Sequence, residues 1–123
     1  MTDRISALPL WRMAAYLSLM PVVNDRTELL RTLEAHAALI RSFGVERLGL
    51  FGSFVRDTAT EKSDVDLYVE FGTVQKTLKN LVGLARTLEQ LVGRKVELVT
   101  PEALNPFIGK YILQEIQYVA LAA

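Results

Sequence analysis

Two acidic residues separated by a single residue are the first feature of the sequence that could carry out chemistry. Asp64 and Asp66 lie in a stretch that alternates apolar and polar residues, which predicts a strand with both carboxylates on one face. Two carboxylates held side by side repel each other and raise a pKa unless a cation neutralises them. A divalent cation with oxygen ligands, above all Mg²⁺, would do so. Such a pair alone is also common at solvated strand ends, so its sequence context matters.

A glycine-serine turn upstream of the acidic pair could bind phosphate. Gly52 and Ser53 follow an apolar strand and begin a helical turn, where glycine allows close approach and the following amides point at an anion. The Ser53 hydroxyl could donate to a phosphate oxygen, and Arg56 could add a charge-assisted hydrogen bond to a triphosphate. Taken singly, the Gly-Ser pair is more often a structural turn, and Arg56 would be a surface arginine.

A third carboxylate, Glu97, is the one acid of the next predicted strand. Beside Asp64 and Asp66 it would complete the ligand set of a two-metal site. An ion pair of Glu97 with Lys95 or Arg94 on the strand face is the alternative interpretation. We expect the three carboxylates to share one cleft, with the Gly-Ser turn at its rim.

The elements that must position these residues are helices and strands in alternation. The pattern predicts a helix from Asn24 or Asp25 to about Phe43, a strand over 45–51, a helical turn over 53–57, a strand over 64–71, a helix over 74–92, a strand over 95–100, and a final helix from Pro106 that includes Ile108, Ile112, Ile116 and Val119. This order predicts an α/β fold with a small mixed β-sheet of about three strands and helices packed on it. His36 lies on the first helix without a second ligand nearby, so we interpret it as a partly buried core histidine.

Length and composition limit the classes of protein to which the chain can belong. Its 123 residues are half hydrophobic and 23% charged, which suits one compact domain. Lysine plus arginine and aspartate plus glutamate each number 14, and this zero net charge argues against binding to long nucleic acid. The absence of cysteine excludes disulfides, thiolate metal sites and cysteine nucleophiles, and is compatible with a cytoplasmic protein.

The first twenty residues differ from the rest of the sequence. The stretch from Leu8 to Met20 is apolar but is interrupted by Arg12, and it is too short to span a membrane and a poor signal peptide. No membrane association is therefore expected. We interpret residues 1–20 as an N-terminal extension or extra helix, dispensable for the core, and residues 21–123 as the domain proper.

The spacing of the site residues resembles that of a known superfamily. Gly52-Ser53, ten further residues and Asp64-Val65-Asp66 resemble the Gly-Ser-x10-Asp-x-Asp signature of the DNA polymerase beta-like nucleotidyltransferases. The run GLFGSFVRDTATEKSDVDLYVEFG, followed by GRKVELVTPEAL, is similar to the minimal nucleotidyltransferase (MNT) domains of HEPN/MNT toxin–antitoxin pairs. The resemblance extends from about Arg26 to the C-terminus.

This resemblance implies a polymerase beta palm-like nucleotidyltransferase fold and specific roles for the site residues. Asp64 and Asp66 would bind Mg²⁺, and Gly52 and Ser53 would bind the nucleotide phosphates. The family function it implies is transfer of AMP from ATP to a partner HEPN toxin, which silences that ribonuclease.

Two positions depart from the family pattern. Relatives usually carry glycine after the arginine of the turn, where this chain has Asp57, and their third carboxylate is usually aspartate, where this chain has Glu97. The longer glutamate can still bind a metal, but catalysis is sensitive to misplacement on the ångström scale. An antitoxin of impaired activity that neutralises its toxin by binding alone is therefore the alternative.

A transferase that acts on a small molecule is a third hypothesis. It is weaker, because the chain after the second strand is too short for a helical domain that would hold a separate acceptor. We therefore expect a protein partner and a hetero-oligomer, with a homodimer as the other arrangement.

Overall fold

The computed structural model describes residues 22–72 and 76–121. The predicted extension over residues 1–20 lies outside the described residues. The elements in chain order are α1 Arg26–Ala35, α2 Ala37–Ser42, β1 Val45–Phe51, β2 Val65–Phe71, α3 Leu78–Val92, β3 Val96–Val99, a 3-10 helix Pro101–Ala103, α4 Pro106–Glu115 and β4 Gln117–Tyr118. They form the α/β arrangement that the sequence predicts.

The sheet is mixed and has four strands among the described residues, in the order β3-β2-β1-β4. Strand β1 is antiparallel to both β2 and β4, and β2 is parallel to β3. A parallel pair needs a long crossover connection, and α3 lies in the segment that joins β2 to β3. The predicted count of about three strands was one too low because β4 was not anticipated.

The final helix is shorter than the periodicity predicts. It ends at Glu115, and Ile116 leaves the helical conformation with φ −56 and ψ 130. Strand β4 then pairs with Gly49 and Leu50, and the Val119 amide donates to the Leu48 carbonyl at 2.8 Å. The exposed backbone of β1 therefore gains hydrogen bonds that a longer helix could not supply.

The first helix is divided at His36, whose φ of −111 and ψ of 24 separate α1 from α2. The imidazole is partly buried, as expected, and its Nδ1 lies 2.8 Å from the Thr32 carbonyl. The predicted start is confirmed, because Asp25 caps α1 by accepting from the Glu28 amide, while Glu28 accepts from the Asn24 amide.

The helix predicted from Val74 begins instead at Leu78 in the structure. Residues 73–75 lie outside the described part of the chain. Thr77 adopts an extended conformation and caps the helix by accepting from the Asn80 amide, which fixes the first helical turn.

The hydrophobic core lies on one face of the sheet. In β2 the side chains of Val65, Leu67 and Val69 are fully buried. They pack in one cluster with apolar side chains of the helices, namely Leu29, Leu33, Ile40, Leu84, Leu88 and Val92. Because side chains alternate along a strand, Asp66 points to the opposite face of the sheet.

Candidate active site

The register of the sheet brings two of the predicted carboxylates together. Asp66 in β2 pairs with Phe51 in β1 on one side and with Glu97 in β3 on the other. Neighbouring residues of paired strands share a face, so the Asp66 and Glu97 side chains lie side by side, and Glu97 contributes to the raised pKa of Asp66. Asp64 immediately precedes β2, two residues from Asp66. The structure therefore pairs Asp66 with Glu97, whereas the convergence of all three carboxylates on one cleft stays a prediction.

The electrostatics of the cluster centre on Asp66. Burial, followed by the neighbouring carboxylates of Glu97 and Asp64, raises the pKa of Asp66 from its ordinary value of 3.8 to about 6, whereas Arg56 lowers it. This is the behaviour expected when like charges are held together without a cation.

The chemistry of these donors suits a hard divalent cation, which takes oxygen ligands and neutralises clustered carboxylates. Within residues 22–72 and 76–121, however, no group of three or more His, Cys, Asp or Glu side chains is spaced to hold a metal ion. Asp66 and Glu97 face each other, while Asp64 is near enough to affect the pKa of Asp66. Asp64 would have to turn toward that pair to supply a third ligand.

The Gly-Ser turn lies directly against Asp66. Gly52 adopts φ 78, and a Cβ at this position would collide with Asp66 Oδ2, so both the conformation and the space require glycine. The turn is held by hydrogen bonds from the Arg56 amide to the Gly52 carbonyl at 3.2 Å and from the Thr58 amide to the Ser53 carbonyl at 2.9 Å. It is a series of turns rather than a helix.

Two backbone amides of this turn are candidate donors to a ligand. In the described part of the chain, the Ser53 and Phe54 amides have no hydrogen-bond acceptor. Consecutive free amides beside a glycine are a common phosphate-binding arrangement. Asp57 closes the turn with φ 60, a left-handed conformation that glycine adopts more readily, which explains the glycine of the family pattern.

Glu115 was missed by the sequence reasoning. The Gly52 amide donates to Glu115 Oε1 at 2.9 Å, and Arg56 Nη1 lies 3.2 and 3.0 Å from the two carboxylate oxygens. The one signal in the sequence was an acid in the last turn of α4, where the helix dipole disfavours negative charge. Glu115 therefore brings the end of α4 onto the predicted phosphate-binding turn.

Arg94 was considered only as an ion-pair partner of Glu97, and that alternative is wrong. Its Nε donates to the Val23 carbonyl at 2.6 Å, and its Nη1 donates to the carbonyls of Thr60 and Ser63 at 2.8 and 3.0 Å. Across the described ranges, Glu97 forms no ion pair with Arg94 or with Lys95. Arg94 instead holds the loop that leads into Asp64.

Comparison with known proteins gives consistent matches. Residues 33–119 match the family model described as the nucleotidyltransferase domain. Protein adenylyltransferase MntA of Thermococcus cleftensis is 42% identical over 93 residues, which cover 75% of this chain and 93% of that protein. A protein of Methanocaldococcus jannaschii, provisionally named a protein adenylyltransferase, is 37% identical over 102 residues, covering 81% of this chain and 100% of that protein.

A solved structure provisionally described as a minimal nucleotidyltransferase has the same fold. Its TM-score is 0.68 at 34% identity, with 76% of this chain and 95% of that chain covered. No helix among the described residues is long and apolar enough to cross a membrane. The sequence matches, the shared fold and the glycine-serine turn beside paired carboxylates together show that this chain belongs to the nucleotidyltransferase domain family and is a nucleotidyltransferase of the minimal type.

Proposed function

We propose that this enzyme is a Mg²⁺-dependent protein adenylyltransferase that moves AMP from ATP to a partner HEPN toxin in the cytoplasm and so acts as its antitoxin. The catalytic and metal-binding residues would be Asp64, Asp66 and Glu97, and the nucleotide-binding residues would be Gly52, Ser53 and Arg56. The adenylyltransferase names of two relatives support a protein acceptor.

The observation that carries this proposal is the contact between the two halves of the site. Asp66 and Glu97 are paired across neighbouring strands and share one sheet face, and Gly52 lies against Asp66. The carboxylate pair that would bind the metal therefore lies beside the turn whose amides would bind phosphate. A metal-bound triphosphate needs both groups within a few ångströms of each other.

In the proposed reaction, a hydroxyl oxygen of the acceptor forms a bond to the α-phosphorus of ATP. The bond from that phosphorus to the bridging oxygen breaks, pyrophosphate leaves, and the acceptor proton is released. Bound to the carboxylates, Mg²⁺ would neutralise their charge and that of the phosphates. The Ser53 and Phe54 amides would hold phosphate oxygens, and the exposed guanidinium of Arg56 would add a charged donor.

A protein acceptor also suits the surface near this site. Helix α4, which ends at Glu115, exposes 81% of Phe107, 71% of Tyr111 and 56% of Ile108. Large exposed apolar side chains on one helix are typical of protein contact surfaces. The zero net charge of the chain gives no support to binding of long nucleic acid.

The test is the intact mass of the purified HEPN-type partner after incubation with this protein, ATP and Mg²⁺. We expect the partner to gain the mass of one or more AMP groups. Asp64→Asn/Asp66→Asn should abolish the gain while still binding the partner, because two ligands of the metal site are lost and the exposed acceptor surface is kept. Glu34→Gln/Glu46→Gln removes the same charge at exposed positions and should leave transfer intact.

The outcomes separate the hypotheses. Transfer by the Asp64→Asn/Asp66→Asn variant would show that the assigned site is wrong. If neither the wild type nor this variant transfers AMP, yet both bind and neutralise the toxin, the antitoxin acts by binding alone. Modification of a small molecule but of no protein would favour the third hypothesis.

A further inference from the structure

The Glu115 carboxylate contacts hydrogen-bond donors that, in the proposed function, would bind the nucleotide. It accepts from the Gly52 amide at 2.9 Å and lies 3.0 Å from Arg56 Nη1, although the chain separates these residues by 63 and 59 positions. The side chains of Arg56 and Glu115 are 57% and 29% exposed. This is a specific contact between the end of α4 and the Gly-Ser turn.

The two donors together form an anion site. A backbone amide next to a glycine and an arginine guanidinium is the combination that binds phosphate oxygens in many proteins. The free amides of Ser53 and Phe54 follow immediately in the chain and extend the same donor set. A carboxylate has the charge and the oxygen geometry to take the place of one phosphate there.

We propose that Glu115 occupies the phosphate-binding donors of Gly52 and Arg56 in the nucleotide-free protein, and that a triphosphate must displace it in order to bind. Glu115 thereby sets the affinity of the site for nucleotides. This inference rests on the proposed function, because it assumes that the Gly-Ser turn receives the triphosphate.

The charges at the site favour displacement of Glu115 by a nucleotide over a permanent contact of Glu115 with Arg56. Arg56 pairs with Glu115 and also interacts with Asp66, which has Glu97 and Asp64 as acidic neighbours. An incoming polyanion is therefore repelled by Glu115 and gains a free amide and a freed guanidinium when Glu115 leaves. If Glu115 instead stayed in place to orient Arg56, the triphosphate would have to bind beside a fourth negative charge.

The backbone around Glu115 is anchored, so displacement needs only rotation of the side chain. The Ile116 amide donates to the Ile112 carbonyl at 3.1 Å, and the next two residues pair with β1. Ile116 also packs against Gly49, where a Cβ would meet Ile116 Cγ2. The flexible glutamate side chain can therefore leave the turn while α4 and β4 keep their positions.

The experiment compares Mg²⁺–ATP binding to the wild type and to Glu115→Gln by calorimetry, with adenosine as the phosphate-free probe. Glutamine keeps the shape and one acceptor oxygen but loses the charge. Because a partly exposed ion pair of this kind contributes about 1 kcal/mol, we expect Glu115→Gln to bind Mg²⁺–ATP about five- to tenfold more tightly. Adenosine affinity should not change.

Glu102→Gln is the matched control. It also removes one charge from an acid in an ion pair, because the exposed Glu102, in the 3-10 helix that follows β3, pairs with Lys76. It should leave ATP affinity unchanged. Equal or weaker ATP binding by Glu115→Gln than by the wild type overturns the inference and leaves the proposed function standing. No binding of Mg²⁺–ATP to the wild type or to either variant overturns both.

A measurement on the wild type does not depend on the folding of a variant. Mg²⁺–ATP should shift the NMR resonance of the Glu115 carboxyl carbon together with that of the Gly52 amide, whereas adenosine should shift neither. A Gly52 amide that moves with ATP while the Glu115 carboxyl carbon stays unchanged overturns the inference, because the nucleotide would then bind without displacing the carboxylate.

Discussion

Replacement of Asp66 by asparagine should stabilise the metal-free protein at neutral pH and leave its stability nearly unchanged at pH 4. The side chain keeps its shape and can hydrogen-bond to Glu97, but it can no longer ionise. In the wild type, burial and the neighbouring acids Glu97 and Asp64 raise the pKa of Asp66 to about 6. The folded state therefore disfavours the ionised carboxylate, and the variant removes that disadvantage.

The direction and size of this stability change follow from the linkage between proton binding and folding. Below pH 3.8, the ordinary pKa, Asp66 is protonated in both the folded and unfolded states and has no effect on the free energy of unfolding. As the pH rises to 6, the unfolded state ionises first and wild-type stability falls, and above pH 6 the loss is constant. A difference from 3.8 to about 6 corresponds to about 3 kcal/mol without screening, and we expect about 1–1.5 kcal/mol because Asp66 is partly exposed to water.

The assay is urea unfolding in EDTA at pH 4.0 and pH 7.5, with Glu61→Gln as the control acid. Glu61 is exposed and lies in the loop before Asp64, so its substitution should change the free energy of unfolding by less than about 0.5 kcal/mol at either pH. An equal gain for Asp66→Asn at both pH values would refute the reasoning, because the gain would then not come from charge. A loss of stability at pH 7.5 would refute it as well.

Three further substitutions probe the turn and its supports. Asp57→Gly should raise the free energy of unfolding by about 0.5–1 kcal/mol, since φ 60 strains a side-chain-bearing residue, and urea unfolding measures it. Gly52→Ala should lower the free energy of unfolding by about 2–3 kcal/mol, which is more than Gly93→Ala should lower it. Both glycines have positive φ, but only an alanine at position 52 would collide with Asp66. An equal loss for the two variants would contradict this contact. Arg94→Ala should lower the free energy of unfolding, measured by thermal unfolding, by about 2–3 kcal/mol, because several backbone carbonyls lose their donor. Arg94→Lys should have an intermediate effect. A loss below about 0.5 kcal/mol for Arg94→Ala would show that these hydrogen bonds contribute little to stability.

The sequence predicted the three longer strands and the polar face of β2 that carries Asp66, because both depend on local alternation. The first strand has the predicted bounds, and the third, predicted over 95–100, spans Val96–Val99. Alternation placed Asp66 on the polar face of β2, and the parallel register of β2 and β3 placed Glu97 beside it, whereas Asp64 precedes the strand. The catalytic, metal-binding and nucleotide-binding roles of these residues remain predictions.

The features that were missed depend on contacts between distant parts of the chain. Strand β4 has only two residues, so it carries no periodicity, and it forms because β1 offers an unpaired edge. Glu115 contacts Gly52 across 63 positions, and Arg94 contacts Val23 across 71 positions. A local pattern contains no information about such partners. By contrast, the glycine that the family pattern has after the arginine marks the position that is left-handed here, Asp57.

We expect the strand β3, and not the Gly-Ser turn, to adjust to the glutamate at the third acidic position, Glu97. The turn is fixed on several sides, because Gly52 lies against Asp66, Arg26 donates to the Val55 carbonyl at 3.0 Å, and the Gly52 amide is held by Glu115. Glu97, by contrast, is exposed and has one more rotatable bond than aspartate. It lies beside Asp66 in the parallel register of β2 and β3. Since misplacement of about 1 Å is enough to impair catalysis, we predict that the position of the Glu97 carboxylate sets the rate of nucleotide transfer and that the turn sets the affinity for the nucleotide.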